Sequence, residues 1–177
     1  YLEVILQNAE ALVGETGFPA GLLYFPVKDP FVSSISPMPQ EKLEDEILKK
    51  LKMQGFVLEN PQVVKMMDGE ISGYSKLVPA ALKADGNFYA NSAVFSLEQF
   101  KLLRHHLHQT LQKLGREIID GKVEIAPYRR GSVTACRFCI YKSVCQFDVL
   151  FEDNVYRLIG QNDAEEIWLK IKGGGEV

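Results

Sequence analysis

Three cysteines constrain this chain more than any other feature. They are the only ones in 177 residues, and they stand together as Cys136-Arg-Phe-Cys139-Ile-Tyr-Lys-Ser-Val-Cys145. An odd number so close in sequence makes a poor disulfide framework. A C-x2-C pair lets two thiolates face one centre from a tight turn, and the third can return from the next turn or helix. Thiolates at that spacing hold zinc or an iron–sulfur cluster. The blander alternative is three small buried apolar residues, which gives no reason for gathering every cysteine in one segment. Zinc and cubane clusters both want four ligands. Asp, His and water are candidates for the fourth, and the reading preferred here is a ligand outside this chain.

Composition narrows the setting. Hydrophobic residues make up 46% and charged residues 24%, values of a folded chain rather than a disordered one. A net charge of -3 excludes a wholly basic nucleic-acid coat but leaves room for a local basic patch. No apolar run is long enough to span a bilayer, so no membrane partner is expected. With no leader-like start, clustered cysteines point to a reducing cytoplasm. Helix-like sequence begins at Tyr1 itself, which reads as a fragment of a longer domain.

Hydrophobic periodicity indicates a mixed α/β (α+β) chain. Residues 1–13 predict a helix with Leu2, Ile5, Leu6 and Leu12 on one side. Ala20–Lys28 reads as a buried strand whose end, at Pro26, lies outside the ladder. A helix is expected over 40–54, with Gly55 as its C′ residue and Lys49, Lys50 and Lys52 at the negative end of its dipole. Residues 56–95 give little beyond a turn into a short strand at 84–90. Ser96-Leu-Glu-Gln99 is a capping box opening a long helix, 97–120. Its stripe Phe100, Leu103, Leu107, Leu111, Leu114 and Ile118 predicts the main packing face, stopped by Gly121. A short strand is expected at Val123–Ile125, then a last helix capped by Asn162-Asp163 and a flexible end over 172–177. The expected divisions are 1–35 as helix and strand, 36–127 as a mixed helical insertion, 128–150 as the cysteine segment and 151–177 as helix and tail.

Outside the cysteines the signals are weaker. Lys101, Arg104, His105 and His108 recur at i, i+3, i+4 and i+7, with His106 beside them. They form either a solvated helix face or a phosphate-contacting stripe. Arg129 and Arg130 follow Tyr128; they suit nucleic acid, charge balance beside a thiolate-held cluster, or plain surface. Asp120-Gly-Lys122 with Glu124 imitates the D-x-K element of metal-dependent nucleases. Its place at a helix stop, rather than on a central strand, argues against catalysis.

Four stretches resemble the nuclease components of bacterial AddAB-type ATP-dependent helicase–nucleases: Ala20–Pro30, Pro79–Gly86, Ser96–His105 and Ala135–Asp148. The resemblance runs from Tyr1 to about Trp168. The C-x2-C-x5-C spacing is its most specific part. It implies the C-terminal portion of a PD-(D/E)xK-type nuclease domain followed by a helical, cysteine-containing segment. In the family the Mg2+ ligands and catalytic lysine precede a Q-x-x-x-Y motif, whose last residue would be Tyr1. Those acidic ligands have no counterpart here, so no catalytic residue is expected in this chain. Cys136, Cys139 and Cys145 match the family's three C-terminal ligands of a structural 4Fe–4S cluster, whose fourth ligand lies far upstream. The resemblance further implies a DNA-binding exonuclease acting in DNA repair and recombination. Its partners would be DNA break ends and the ATP-binding, AddA-type helicase–nuclease component, in a heterodimer. Arg129, Arg130, Lys101 and Arg104 are the candidate DNA contacts. The alternative is a non-enzymatic zinc-binding module for nucleic acid or protein.

Overall fold

A computed structural model describes residues 1–151, 154–160 and 162–173. Its contacts divide into two units, Tyr1–Arg104 and His105–Val177.

The first unit opens with two short helices, α1 (Leu2–Gln7) and α2 (Ala9–Val13), where a single helix is expected. The break is at Asn8, whose amide donates back to the Val4 carbonyl at 2.8 Å. Asparagine competes in this way for backbone groups and interrupts helices. Strand β1 (Gly21–Tyr24) stops ahead of Pro26, as a residue without an amide donor requires. Helix α3 (Gln40–Leu51) follows, and Lys52 already has extended geometry.

The next element corrects the reading of Gly55. It does not close α3 but lies in strand β2 (Gln54–Leu58), antiparallel to β1 with Gly21 opposite Val57 and Leu23 opposite Gly55. Its φ is +132°, and a Cβ there would sit 2.0 Å from the Leu22 carbonyl oxygen. Only glycine lets the two backbones come so close. On its other side β2 runs parallel to β5 (Val94–Phe95), giving the order β1-β2-β5.

Between β2 and β5 the sequence pattern is nearly silent, and the structure fills the gap. Helix α4 (Pro61–Met67) starts with Pro at its first turn and Asn60 capping the Gln62 amide at 2.9 Å. Strands β3 (Gly73–Tyr74) and β4 (Ala81–Leu82) form a small antiparallel pair. The Asp85-Gly86-Asn87 turn then returns the chain to a bridge between Leu82 and Phe88. The core gathers here: Val57, Val64, Val78, Ala80 and Leu82 are buried, with Met53, Ile71 and Val94 packed against them. Buried Ser75 organises the loop beside it. Its hydroxyl donates to Asp68 at 2.7 Å and accepts the Leu77 and Val78 amides at 3.0 Å.

Helix α5 (Leu97–Ile119) begins with the expected capping box: Ser96 Oγ accepts the Gln99 amide at 3.2 Å and Gln99 Oε1 the Ser96 amide at 2.9 Å. Phe100, 1% exposed, meets Phe95 edge-on, and Phe95 stacks on Phe56 at 3.9 Å.

The second unit holds the rest of α5 and corrects the expected packing face. Leu107, Leu111, Leu114 and Ile118 are 45%, 57%, 47% and 78% exposed. Periodicity shows which side chains share a face, not what lies against it. The helix ends in a Schellman motif, with the Gly121 and Lys122 amides donating to the Ile118 and Glu117 carbonyls. Val123–Ile125 is not a strand: no partner pairs with it among the described residues, and both side chains are exposed. The ladder starts instead at β6 (Tyr128–Arg130), flanked by β7 (Val133–Thr134) and β8 (Arg157–Leu158) in the order β7-β6-β8. A 3-10 turn (Ala135–Phe138) and helix α6 (Lys142–Cys145) carry the cysteines. Helix α7 (Ala164–Gly173) is capped as expected, Asp163 Oδ1 accepting the Glu166 amide at 2.8 Å. Of the expected flexible end, 174–177 lies outside the described residues.

These packing differences set opposite mutational signs in urea unfolding. Gly55→Ala should destabilise by about 3 kcal/mol or more, through backbone overlap. Gly115→Ala, in mid-helix with no atom within 4 Å of an added Cβ, should stabilise by about 0.5–1 kcal/mol. Phe100→Ala should cost about 3–5 kcal/mol. Leu111→Ala should stay within about 0.5 kcal/mol of wild type, and a large loss there would restore the expected packing face.

Candidate metal centre and nucleic-acid contacts

The cysteine segment is held at both ends by a small sheet. Strands β6 and β7 are joined by the two-residue loop Gly131-Ser132, with Arg130 opposite Val133. Gly131 has φ +57°, the first position of a type II′ hairpin turn. Strand β7 leads directly into the 3-10 turn that carries Cys136. The Cys139 amide closes that turn on the Cys136 carbonyl at 3.4 Å. Cys145 is the last residue of α6, and its amide donates to the Tyr141 carbonyl at 2.8 Å. Gln146, in the left-handed conformation at φ 50°, turns the chain away.

The return path runs through Phe147, which meets Tyr156 edge-on at 4.9 Å, and Asp148, whose carbonyl accepts from the Asn154 amide group at 3.0 Å. The segment then joins β8, parallel to β6. The sheet thus brackets the cysteines, with β7 on their N-terminal side and β8 on their C-terminal side.

All three cysteines are free thiols; Cys136 and Cys145 are half-buried and Cys139 is exposed. The donor set fits a thiolate-held centre in kind: three soft sulfurs, two on one turn and one on the following helix. In position it is open. Among the described residues, no three His, Cys, Asp or Glu side chains are gathered closely enough to hold a metal ion.

The basic candidates are dispersed in role. Arg129 Nε donates to the Gly131 carbonyl at 3.1 Å, and its guanidinium lies over the Tyr156 ring at 5.7 Å. It therefore supports the hairpin and the aromatic pair. Arg130 alternates to the opposite face of the strand and is exposed. Lys101 is exposed on α5. Arg104 is committed elsewhere: Nε and Nη2 donate to the two Glu3 carboxylate oxygens at 2.5 and 2.8 Å. That bidentate pair ties α1 to the start of α5 and raises the Arg104 pKa further above its ordinary value. His105 is exposed, while His106 and His108 are half-buried along the same helix. Tyr1 is fully exposed and precedes the first turn of α1.

Asp120-Gly-Lys122 behaves as helix-end structure. Asp120 is the residue between α5 and its glycine stop, and Lys122 Nζ lies 3.4 Å from Glu117 and 3.9 Å from Glu124. The sequence pattern does not single out one basic, aromatic-edged cavity in the first unit. Lys49, Lys50 and Lys52 line it together with Tyr74 and Asn91. The lysine run is visible in the sequence; its meeting with residues some twenty to forty positions away is not.

Comparison with known proteins gives the chain its relatives. A model of the PD-(D/E)XK nuclease superfamily matches residues 1–146. Proteins named as the B component of an ATP-dependent helicase/deoxyribonuclease are similar along nearly the whole chain. The one from Desulforamulus reducens is 48% identical over 97% of this chain and 15% of its own length. That from Pelotomaculum thermopropionicum is 48% identical over 99% and 16%, and that from Bacillus anthracis 41% identical over 99% and 16%. The chain thus spans about one sixth of the length of these relatives. With a match covering most of its residues and a mixed α/β architecture, the chain belongs to the PD-(D/E)XK nuclease superfamily.

Proposed function

We propose that this chain is part of the nuclease domain of a helicase–deoxyribonuclease component that resects double-strand DNA breaks for homologous recombination. The observation that carries the reading is the near-complete alignment, at 48% identity, with proteins named as the B component of such an enzyme. In this reading a partner protein hydrolyses ATP and moves along DNA. The nuclease domain degrades the 5′-ended strand as a single-strand exonuclease, using Mg2+ held by acidic residues outside this chain.

Within that reading, Cys136, Cys139 and Cys145 supply three thiolates to a structural 4Fe–4S cluster whose fourth ligand lies outside the chain. Such a cluster supplies cross-linking, not phosphoryl chemistry. The residues of this chain do the mechanical part. The hairpin β6–β7 presents Cys136 and Cys139, α6 presents Cys145, and the Phe147–Tyr156 contact returns the chain to β8. The exposed stripe of α5 also fits a chain that is one portion of a larger domain.

Two outcomes test the reading. The 177 residues alone should show no Mg2+-dependent degradation of single-stranded DNA, whereas the full-length protein with its partner should degrade it. Activity of the isolated chain that is lost in Asp120→Ala would overturn the assignment. In the full-length complex, Cys136→Ala, Cys139→Ala or Cys145→Ala should lower bound iron and weaken binding to DNA ends at least several-fold. Unchanged iron in all three variants would exclude these ligands, and stoichiometric zinc in the wild type would favour a zinc-binding module.

A further inference from the structure

An open cavity of about 390 Å³ lies in the first unit, where the end of α3 meets the start of β2 and the loops around β3 and β5. Pockets that bind small ligands or single residues of a polymer begin at roughly 300 Å³, so it can seat about one nucleotide. Lys49, Lys50 and Lys52 line it, and no Asp or Glu is among its lining residues. The three ammonium groups differ in their commitments. Lys49 Nζ holds Glu46 at 2.6 Å on the exposed helix surface, and Lys50 Nζ donates to the Phe31 carbonyl at 2.5 Å. Lys52 has no carboxylate within ion-pair distance among the described residues. Exposed pairs such as Lys49–Glu46 are weak and exchange readily for a phosphate.

Another part of the lining is aromatic and oriented. Tyr74, 59% exposed, stacks on Tyr89 with centroids 5.2 Å apart and planes 24° from parallel. Asn91 Nδ2 donates to the Tyr74 hydroxyl at 3.4 Å, and Lys83 lies over the Tyr89 ring at 5.7 Å. These contacts pre-set the plane of Tyr74. They leave the Asn91 carbonyl oxygen and a second amide hydrogen for a base edge.

Cations and a held aromatic plane with an amide in the lining of one cavity make a site for an unstacked nucleotide. We propose that this cavity binds single-stranded DNA, with a backbone phosphate on Lys52 and Lys49 and one base stacked on Tyr74. A duplex does not fit the same chemistry, because its bases are already stacked and their faces hidden. The inference rests on the nuclease reading above and adds a strand-holding site in the part of the domain that precedes the cysteine segment.

The test uses the full-length protein and a fluorescein-labelled oligothymidylate, read by anisotropy across a salt series. Photo-crosslinking with 4-thiothymidine in the strand supplies the second readout. Lys52→Gln should weaken binding several-fold and shallow the log–log salt dependence by about 0.7, the value for one phosphate contact on a single strand. Tyr74→Ala should weaken binding about 5- to 100-fold and abolish crosslinks to the peptide around residue 74. Tyr74→Phe should bind nearly as wild type, and Lys65→Gln on α4, outside the cavity, should not change affinity. Thymidine monophosphate in large excess should compete poorly. If wild type binds the strand while Lys52→Gln and Tyr74→Ala bind equally well without loss of crosslinks, the cavity assignment fails and the nuclease reading stands. If the monophosphate displaces the crosslink at stoichiometric levels, the site is for a free nucleotide and the strand proposal fails. If wild type neither binds nor degrades the oligonucleotide, both readings fall.

Discussion

The first unit depends on the close approach of two backbones at Gly55. Strand β2 is inserted between β1 and β5, and its Gly55 leaves no room for a side chain against the Leu22 carbonyl. That approach lets β2 pair with β1 over Gly21–Tyr24 while turning fully buried Val57 into the core. Val57 in turn meets the elements contributed by α4 and the 78–82 segment, all of which return to the same apolar cluster. The parallel pairing of Val57 and Leu58 with Val94 and Phe95 carries the order forward to the Phe56–Phe95–Phe100 aromatic series. The start of α5 is therefore positioned by the sheet as well as by its capping box.

The cysteine segment is built on a different principle. Its sheet is made of strands two or three residues long, and no large side chain in it is fully buried. Small ladders of this kind need added support to hold a fixed geometry. Arg129 over Tyr156, Phe147 against Tyr156 and the Asp148–Asn154 link supply part of it. A thiolate-held cluster would supply the rest, because bringing its ligands together is itself a folding contribution. The placement of Cys136 and Cys139 after β7, and of Cys145 before the return to β8, suits that role.

Local signals are legible in the sequence wherever one short stretch decides the outcome. The Ser96/Gln99 capping box, the Asp163 cap, the Gly121 stop and the Pro26 limit on β1 all occur where their residue chemistry places them. The donor chemistry of the three cysteines is equally local. What is not legible depends on partners distant in sequence. Gly55 resembles a helix stop because its real constraint is the carbonyl of Leu22, more than thirty positions earlier. Leu107 and Leu111 share the face of Phe100 by periodicity, yet only Phe100 meets a neighbouring ring. Val123 and Ile125 alternate like a strand but have no ladder to join. The cavity at Lys49, Lys50 and Lys52 is hidden from the sequence because Tyr74 and Asn91 come to it from later elements.

The central claim is that Cys136, Cys139 and Cys145 serve one iron–sulfur centre in a nuclease. Anaerobic purification of the full-length protein followed by Mössbauer spectroscopy, with iron and acid-labile sulfide measured on the same sample, tests it most directly. The account predicts iron and sulfide in equal amounts, with the spectrum of a cubane cluster that disappears in Cys139→Ala. Stoichiometric zinc without sulfide, or an intact cubane spectrum in Cys139→Ala, would contradict it.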